Sequence, residues 1–191
     1  MKTSAAHYAT HLGPIYSWML GDIDAAFARS TAEIEDLELP EANHGAAVDL
    51  GAGLGLHALP LARRGFRVTA IDSCQVLLDE LRSRSGTLAV TAVNADLVDY
   101  RAVVKEEPRV VLCMGDTLTH LPTLAAVESL LKSVADGLAR GGVFAARARR
   151  CCSTRVYRCG RRLGSCFSSM GICRFMNSLN RGTVKAVSPW R

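Results

Sequence analysis

Apolar residues along the chain keep two rhythms. Over residues 8–39 they recur at three- and four-residue spacings: Ile15, Trp18 and Met19, then Ile23, Phe27, Ile34 and Leu37, with breaks at Gly13-Pro14 and Gly21. That spacing predicts a pair of helices with one apolar face against a core. His7, Tyr8, His11, Tyr16 and Trp18 add aromatic and polar groups that would also suit a lid. Residues 40–45 read as a linker. From Ala46 the rhythm changes to short, nearly continuous apolar runs separated by amphipathic stretches. Strands are predicted at the run starting AAVDL, at 66–71, at 88–93, at 109–114 and from 143 to 146. Helices are predicted at 56–64, at 74–85 with Val76, Leu77 and Leu81 inward, and at 123–139 with Leu124, Val127, Leu130, Leu131, Val134 and Leu138 on one side. Alternating strands and helices with strands this apolar predict an α/β fold, a Rossmann-like parallel sheet with helices on both faces.

Charge divides the chain more sharply than hydropathy does. The formal net charge is +5, yet residues 1–146 hold all 18 acids against 12 of the 23 basic residues, leaving −6. Residues 147–191 hold the other 11 basic residues and no acid, along with five of the seven cysteines. At 191 residues the chain can bury one core. We divide it into a helical lid and linker (1–44), an α/β domain (45–146) and a basic, Cys-rich tail (147–191). No apolar run is long enough for a membrane span and the N-terminus lacks a signal core, so a cytoplasmic protein is expected.

The stretch AAVDLGAGLG organises the rest. A buried strand runs into Asp49, and then Gly51, Gly53 and Gly55 alternate with Ala52 and Leu54. Alternate glycines permit positive φ and let a ligand approach the backbone. The free amides of the next helix would face that ligand. Ligands of parallel sheets bind beyond the carboxyl ends of the strands, and Asp49, Asp72, Asp96 and Asp116 all fall at such ends. An acid after the second strand suits ribose hydroxyls. The dinucleotide pattern G-x-G-x-x-G is broken by Leu56, and Asp49 is a poor neighbour for a pyrophosphate. It would suit an ammonium or a sulfonium instead.

VDLGAGLG, Asp72, the NADL after the third strand and the MGD turn after the fourth together resemble the class I S-adenosylmethionine-dependent methyltransferases, over about residues 8–146. The resemblance implies that Gly51, Ala52, Gly53 and Gly55 border the cofactor's methionine and ribose. It implies that Asp72 binds the ribose hydroxyls, that Asp96 accepts from the adenine amino group and that Leu97 lies against the ring. Met114 and Gly115 would line the path to the acceptor, and Asp49 would face the cofactor's amino end or tie down the loop. Bland readings stand beside these: Asp49 capping loop amides, Asp72 and Asp96 capping helices, Asp116 opening a turn, His57 packed or at the surface, His44 solvated. A sulfonium methyl is already activated, so no catalytic dyad is required; His120, Asp116 or Tyr16 would orient or deprotonate an acceptor. We expect a small-molecule acceptor, since residues 1–146 carry no basic stripe for nucleic acid. A non-catalytic nucleoside-binding module is the competing reading, and an NAD-dependent oxidoreductase a weaker one.

From Arg147 the pattern stops. Cys152, Cys159, Cys166 and Cys173 recur every seven residues, but zinc sites favour C-x₂₋₄-C pairs, so no metal site is expected. The abrupt switch to Arg, Cys, Ser and Gly within a strand is what a shifted reading frame of GC-rich DNA would give. We therefore expect a tail that is disordered or foreign to the fold, a sheet lacking its C-terminal part, and a fifth strand with an unpaired edge.

Overall fold

The computed structural model describes residues 13–147 and 172–176. Five parallel strands form its centre: β1 (Ala46–Leu50), β2 (Arg67–Asp72), β3 (Val90–Asn94), β4 (Val110–Cys113) and β5 (Val143–Arg147). A sixth, β6 (Ile172–Met176), lies antiparallel beside β5, and the order across the sheet is β3-β2-β1-β4-β5-β6. The chain therefore builds outward from β1 in one direction, then returns to place β4 on its other side. The crevice opened at that reversal, above the carboxyl ends of β1 and β4, is where such sheets bind ligands.

Both faces of the sheet are covered because its strands alternate apolar residues to each side. Ala47, Val68, Ala70, Val110, Leu112 and Val143 point into one core with Leu59, Leu61, Phe66, Leu78 and Leu81. Val48, Leu50, Ile71, Val111, Cys113 and Phe144 point into the other, with Tyr100, Leu130 and Val134. Each leucine or phenylalanine fully buried this way contributes about 1.5–3 kcal/mol, which is why apolar runs this short suffice. The helices are α1 (Tyr16–Met19), α2 (Ile23–Asp36), α3 (Ala58–Arg63), α4 (Gln75–Ser85), α5 (Tyr100–Val103) and α6 (Leu124–Gly137). Asp22 starts α2 by accepting from the Ala25 amide at 3.0 Å, and Thr123 starts α6 by accepting from Ala126 at 3.1 Å.

Several expectations need correction. Strand β6 pairs with β5 in register from Val143↔Met176 to Arg147↔Ile172, so the edge of β5 is occupied. The tail's segment ICRFM supplies that strand; its β-branched and aromatic residues were masked by the Arg, Cys and Gly around them. The rest of the tail, with its remaining cysteines, lies outside the described residues. Val76 faces solvent, and Leu77, Leu78 and Leu81 form the inner face of α4. Ile15, Met19 and above all Trp18, 82% exposed, point outward, whereas Tyr16 and Leu20 pack inward. Leu124 is exposed at the start of α6. The helix after the glycines starts two residues later than predicted, because 51–57 is taken up by turns.

Candidate functional site

The glycine turn is fastened to the tips of β1 and β2. The amides of Gly51 and Ala52 donate to the Ile71 carbonyl at 2.8 and 3.0 Å, and the Gly53 amide donates to Asp72 Oδ2 at 2.8 Å. All three glycines have positive φ, but they serve different neighbours. A Cβ on Gly51 would overlap the Thr117 side chain, and one on Gly55 would overlap Leu81. Those two are glycine because the protein itself closes over them. A Cβ on Gly53, at φ +53°, would meet only Leu77 Cδ1 at 3.8 Å, so the space over this residue is open. Gly53 is the position at which a ligand can come down on the backbone.

Asp72 accepts at both oxygens: Oδ2 from Gly53, and Oδ1 from the Cys74 amide at 2.8 Å at the start of α4. Burial pushes its carboxyl upward, and the amides of Cys74, Gly53 and Ser73 oppose that without cancelling it. It thus anchors the glycine loop and closes a turn just ahead of α4, whose N-cap residue is Cys74. Each oxygen of a carboxylate has a second lone pair, so two further donors such as a vicinal diol can still be received.

Beneath the turn lies Asp49, only 1% exposed within the fully buried strand β1. The Ala58 amide hydrogen-bonds to it, while Oδ2 finds no partner among the described residues. This corrects the expectation that the amides opening the helix after the loop face a ligand: the Ala58 amide turns to Asp49. Burial pushes the Asp49 carboxyl up to about 6; His57 opposes this, Asp72 adds to it, and the Ala58 amide opposes it again. A buried carboxylate oxygen without a donor is costly unless something cationic completes it.

The other predicted residues are distributed around this centre. Asn94 is in register with Asp72, and the next residue but one, Asp96, is exposed and caps the turn Leu97–Asp99 by accepting from Val98 at 3.1 Å. Leu97 is half-buried. Met114 is buried after β4, its carbonyl accepting from Thr117 Oγ1 at 2.8 Å, and Gly115 follows at φ +70° with open space beside it. Asp116 opens the turn Thr117–His120, and His120 ends that turn exposed. Tyr16 sits in the apolar group formed by Leu54, Cys74 and Leu77 with Leu20, Ile23 and Phe27. Burial raises its phenol, and the charges of Asp72 and Asp116 raise it further. The helical segment before the sheet therefore brings Tyr16 close to Asp72 and Asp116.

Sequence reasoning passed over two features. Thr117 packs against Gly51, and no spacing rule singles out such a contact. Glu33 of α2 joins His57 Nε2 at 3.1 Å to Arg147 Nη2 at 2.6 Å, linking three elements far apart in the chain.

Residues 47–142, half of the chain, match the family model described as a methyltransferase domain. The chain belongs to the class I S-adenosylmethionine-dependent methyltransferases. No curated protein matches it. Among solved structures, this methyltransferase-family chain is similar to a protein from Listeria monocytogenes described as an S-adenosylmethionine-dependent methyltransferase: 24% identity, TM-score 0.54, covering 63% of this chain and 55% of that one. It is similar to magnesium protoporphyrin IX methyltransferase from Synechocystis PCC 6803, solved with bound S-adenosylmethionine (19%, TM-score 0.57, 75% and 73%). A third is the CcbJ methyltransferase from Streptomyces caelestis (20%, TM-score 0.58, 88% and 68%). The chain spans about half the length of the first of these. All three share its Rossmann-like sheet. S-adenosylmethionine is the cofactor of the family, and the open space over Gly53, the spare lone pairs of Asp72 and the unpartnered oxygen of Asp49 fit it. Among the described residues no helix is long and apolar enough to cross a membrane.

Proposed function

We propose that the chain transfers a methyl group from S-adenosylmethionine to a small-molecule acceptor. The observation that supports it most is the unpartnered, buried Asp49 oxygen beneath the open backbone of Gly53, with Asp72 alongside. In this reading Asp49 receives the cofactor's ammonium, Asp72 its ribose hydroxyls, and Gly51, Ala52, Gly53 and Gly55 shape the turn beneath it. Asp96 accepts from the adenine amino group and Leu97 covers the ring. Met114 and Gly115 border the way to the acceptor. The bound cofactor supplies a methyl on a positively charged sulfur, for which a thioether is the leaving group.

On the acceptor side stand Tyr16, Asp116 and His120. A raised phenol stays protonated at neutral pH, so Tyr16 donates a hydrogen bond and orients, and it is not the base. Asp116 and His120 are left to accept a proton where the acceptor must lose one. Acids at four strand tips, in a segment of net charge −6, disfavour a polyphosphate backbone, which supports a small acceptor over nucleic acid. Two free buried thiols, Cys74 and Cys113, go with a cytoplasmic setting.

Two measurements test this reading. Calorimetric titration with S-adenosylmethionine should show binding, and incubation with tritiated cofactor should label a metabolite pool more than an RNA pool. Absence of cofactor binding would refute it, labelling of RNA alone would overturn the acceptor class, and binding without transfer would favour the non-catalytic module.

A further inference from the structure

Two turns meet in the crevice, one from each side of it. The glycine turn leaves β1 and is tied toward β2: Gly51 and Ala52 donate to the Ile71 carbonyl, and Gly53 donates to Asp72. The other turn follows β4, on the opposite side of β1, and runs from Asp116 to His120. It is tied within itself. The Thr117 hydroxyl reaches back past Gly115 and Asp116 to donate to the Met114 carbonyl at 2.8 Å, and the Thr119 amide donates to the Asp116 carbonyl at 2.9 Å. Leu118 roots this turn in the same apolar core as Val48 and Leu50. Thr117 joins the two turns. A Cβ on Gly51 would lie 2.5 Å from the Thr117 γ-methyl, 2.5 Å from its hydroxyl oxygen and 3.0 Å from its β-carbon. The threonine side chain therefore rests on the bare α-carbon of Gly51.

We propose that Thr117 is a positioning residue for methyl transfer: seated on Gly51, it sets how far Asp116 and His120 stand from a cofactor held over the glycine turn. The inference rests on the function proposed above and deepens it. Thr117 acts through the two turns and not by touching the reacting atoms. Transfer of a methyl needs the attacking atom about 3–3.5 Å from the carbon, and a misplacement of about 1 Å costs about a hundredfold. Without the Thr117 side chain the glycine turn stays where Ile71 and Asp72 hold it, so cofactor binding survives. The turn after β4 loses its stop and settles toward Gly51, carrying Asp116 and His120 with it.

The test uses the full 191-residue chain. Thr117→Ala removes both atoms that rest closest on Gly51, and Thr117→Val keeps their shape. Calorimetry gives the affinities for S-adenosylmethionine and S-adenosylhomocysteine, and tritium transfer gives the rate into the metabolite pool that the wild type labels. Proton NMR follows the His120 ring resonance, identified by its loss in His120→Gln, as S-adenosylhomocysteine is added. Thr117→Ala should bind both ligands within about twofold of wild type, because the other ties of the glycine turn are independent of it. It should transfer roughly ten- to a hundredfold more slowly, and the shift of the His120 resonance seen in wild type should disappear. Thr117→Val should recover that shift and bring transfer to within about fivefold of wild type, the remainder being one lost hydrogen bond. A His120 resonance that ignores S-adenosylhomocysteine in wild type, or keeps its shift in Thr117→Ala, overturns the proposal whether or not a labelled pool is found. So does a Thr117→Ala chain that transfers at the wild-type rate, or one whose affinity and rate fall together. A wild-type chain that binds neither ligand overturns the cofactor assignment itself, which separates the two failures.

Discussion

Asp49 makes a prediction that needs no ligand. Its carboxyl rises from 3.8 to about 6 on folding, so the folded chain holds that proton more tightly than the unfolded chain does. Stability from this group is therefore present at low pH and is lost as pH rises between those two values. Two pH units correspond to about 3 kcal/mol of cost once the group is ionised. Asp49→Asn removes the ionisation while keeping the shape, although its amide NH₂ replaces one unpartnered atom with another. Comparing the variant with wild type at two pH values cancels that fixed cost. Between about pH 5 and about pH 8 the variant should gain 1 to 2 kcal/mol relative to wild type, or roughly 2–8 °C in Tm. Urea unfolding of the ligand-free chain, followed by circular dichroism at both pH values, measures it. A difference between the two proteins that stays flat over that window would refute the account of Asp49 as a buried, uncompensated charge.

Other expectations follow from neighbouring residues. Gly55→Ala forces a Cβ into Leu81 and should cost about 2 kcal/mol or more, whereas Gly53→Ala meets open space and should cost about 1 kcal/mol from its positive φ alone. The cofactor should respond in the opposite order, with Gly53→Ala weakening binding more; urea titrations and calorimetry on both variants compare them. Tyr16→Phe keeps the ring in its apolar group, so stability and cofactor affinity should hold while methyl transfer drops by about tenfold through loss of the orienting hydroxyl; single-turnover rates check it. Removing residues 148–191 takes away β6 and leaves β5 with an open edge, so light scattering should show association that the full chain lacks.

Much of the sheet was legible because parallel strands buried on both faces must be written as short apolar runs, and three of the five runs here, the first, second and fourth, close on a glycine or an acid. The grouping of Asp49, Asp72 and Asp116 was legible for the same reason: strand ends coincide in space once the strands are parallel. What escaped depended on contacts between distant segments. The three-residue rhythm of α1 was real, but Trp18 and Met19 carry it outward while Tyr16 and Leu20 carry it in, and four residues cannot reveal which face is covered. The hydrogen bonds of Asp72 to Gly53 and Cys74 made it an anchor for the glycine loop and for the turn ahead of α4, where the sequence had offered a helix cap as the alternative to ribose binding. Strand β6 was hidden by the composition around it, since five residues of mixed character give no alternation long enough to read.

Glu33 carries a further consequence for how the molecule assembles. Its two oxygens clasp a residue just past the first strand and one at the end of the fifth, so α2 cannot be latched until the five parallel strands that follow it have been made. Closing so long a span comes late in the search for the native state. This latch on α2 is thereby fastened late, once the fifth strand has taken its place beside the fourth.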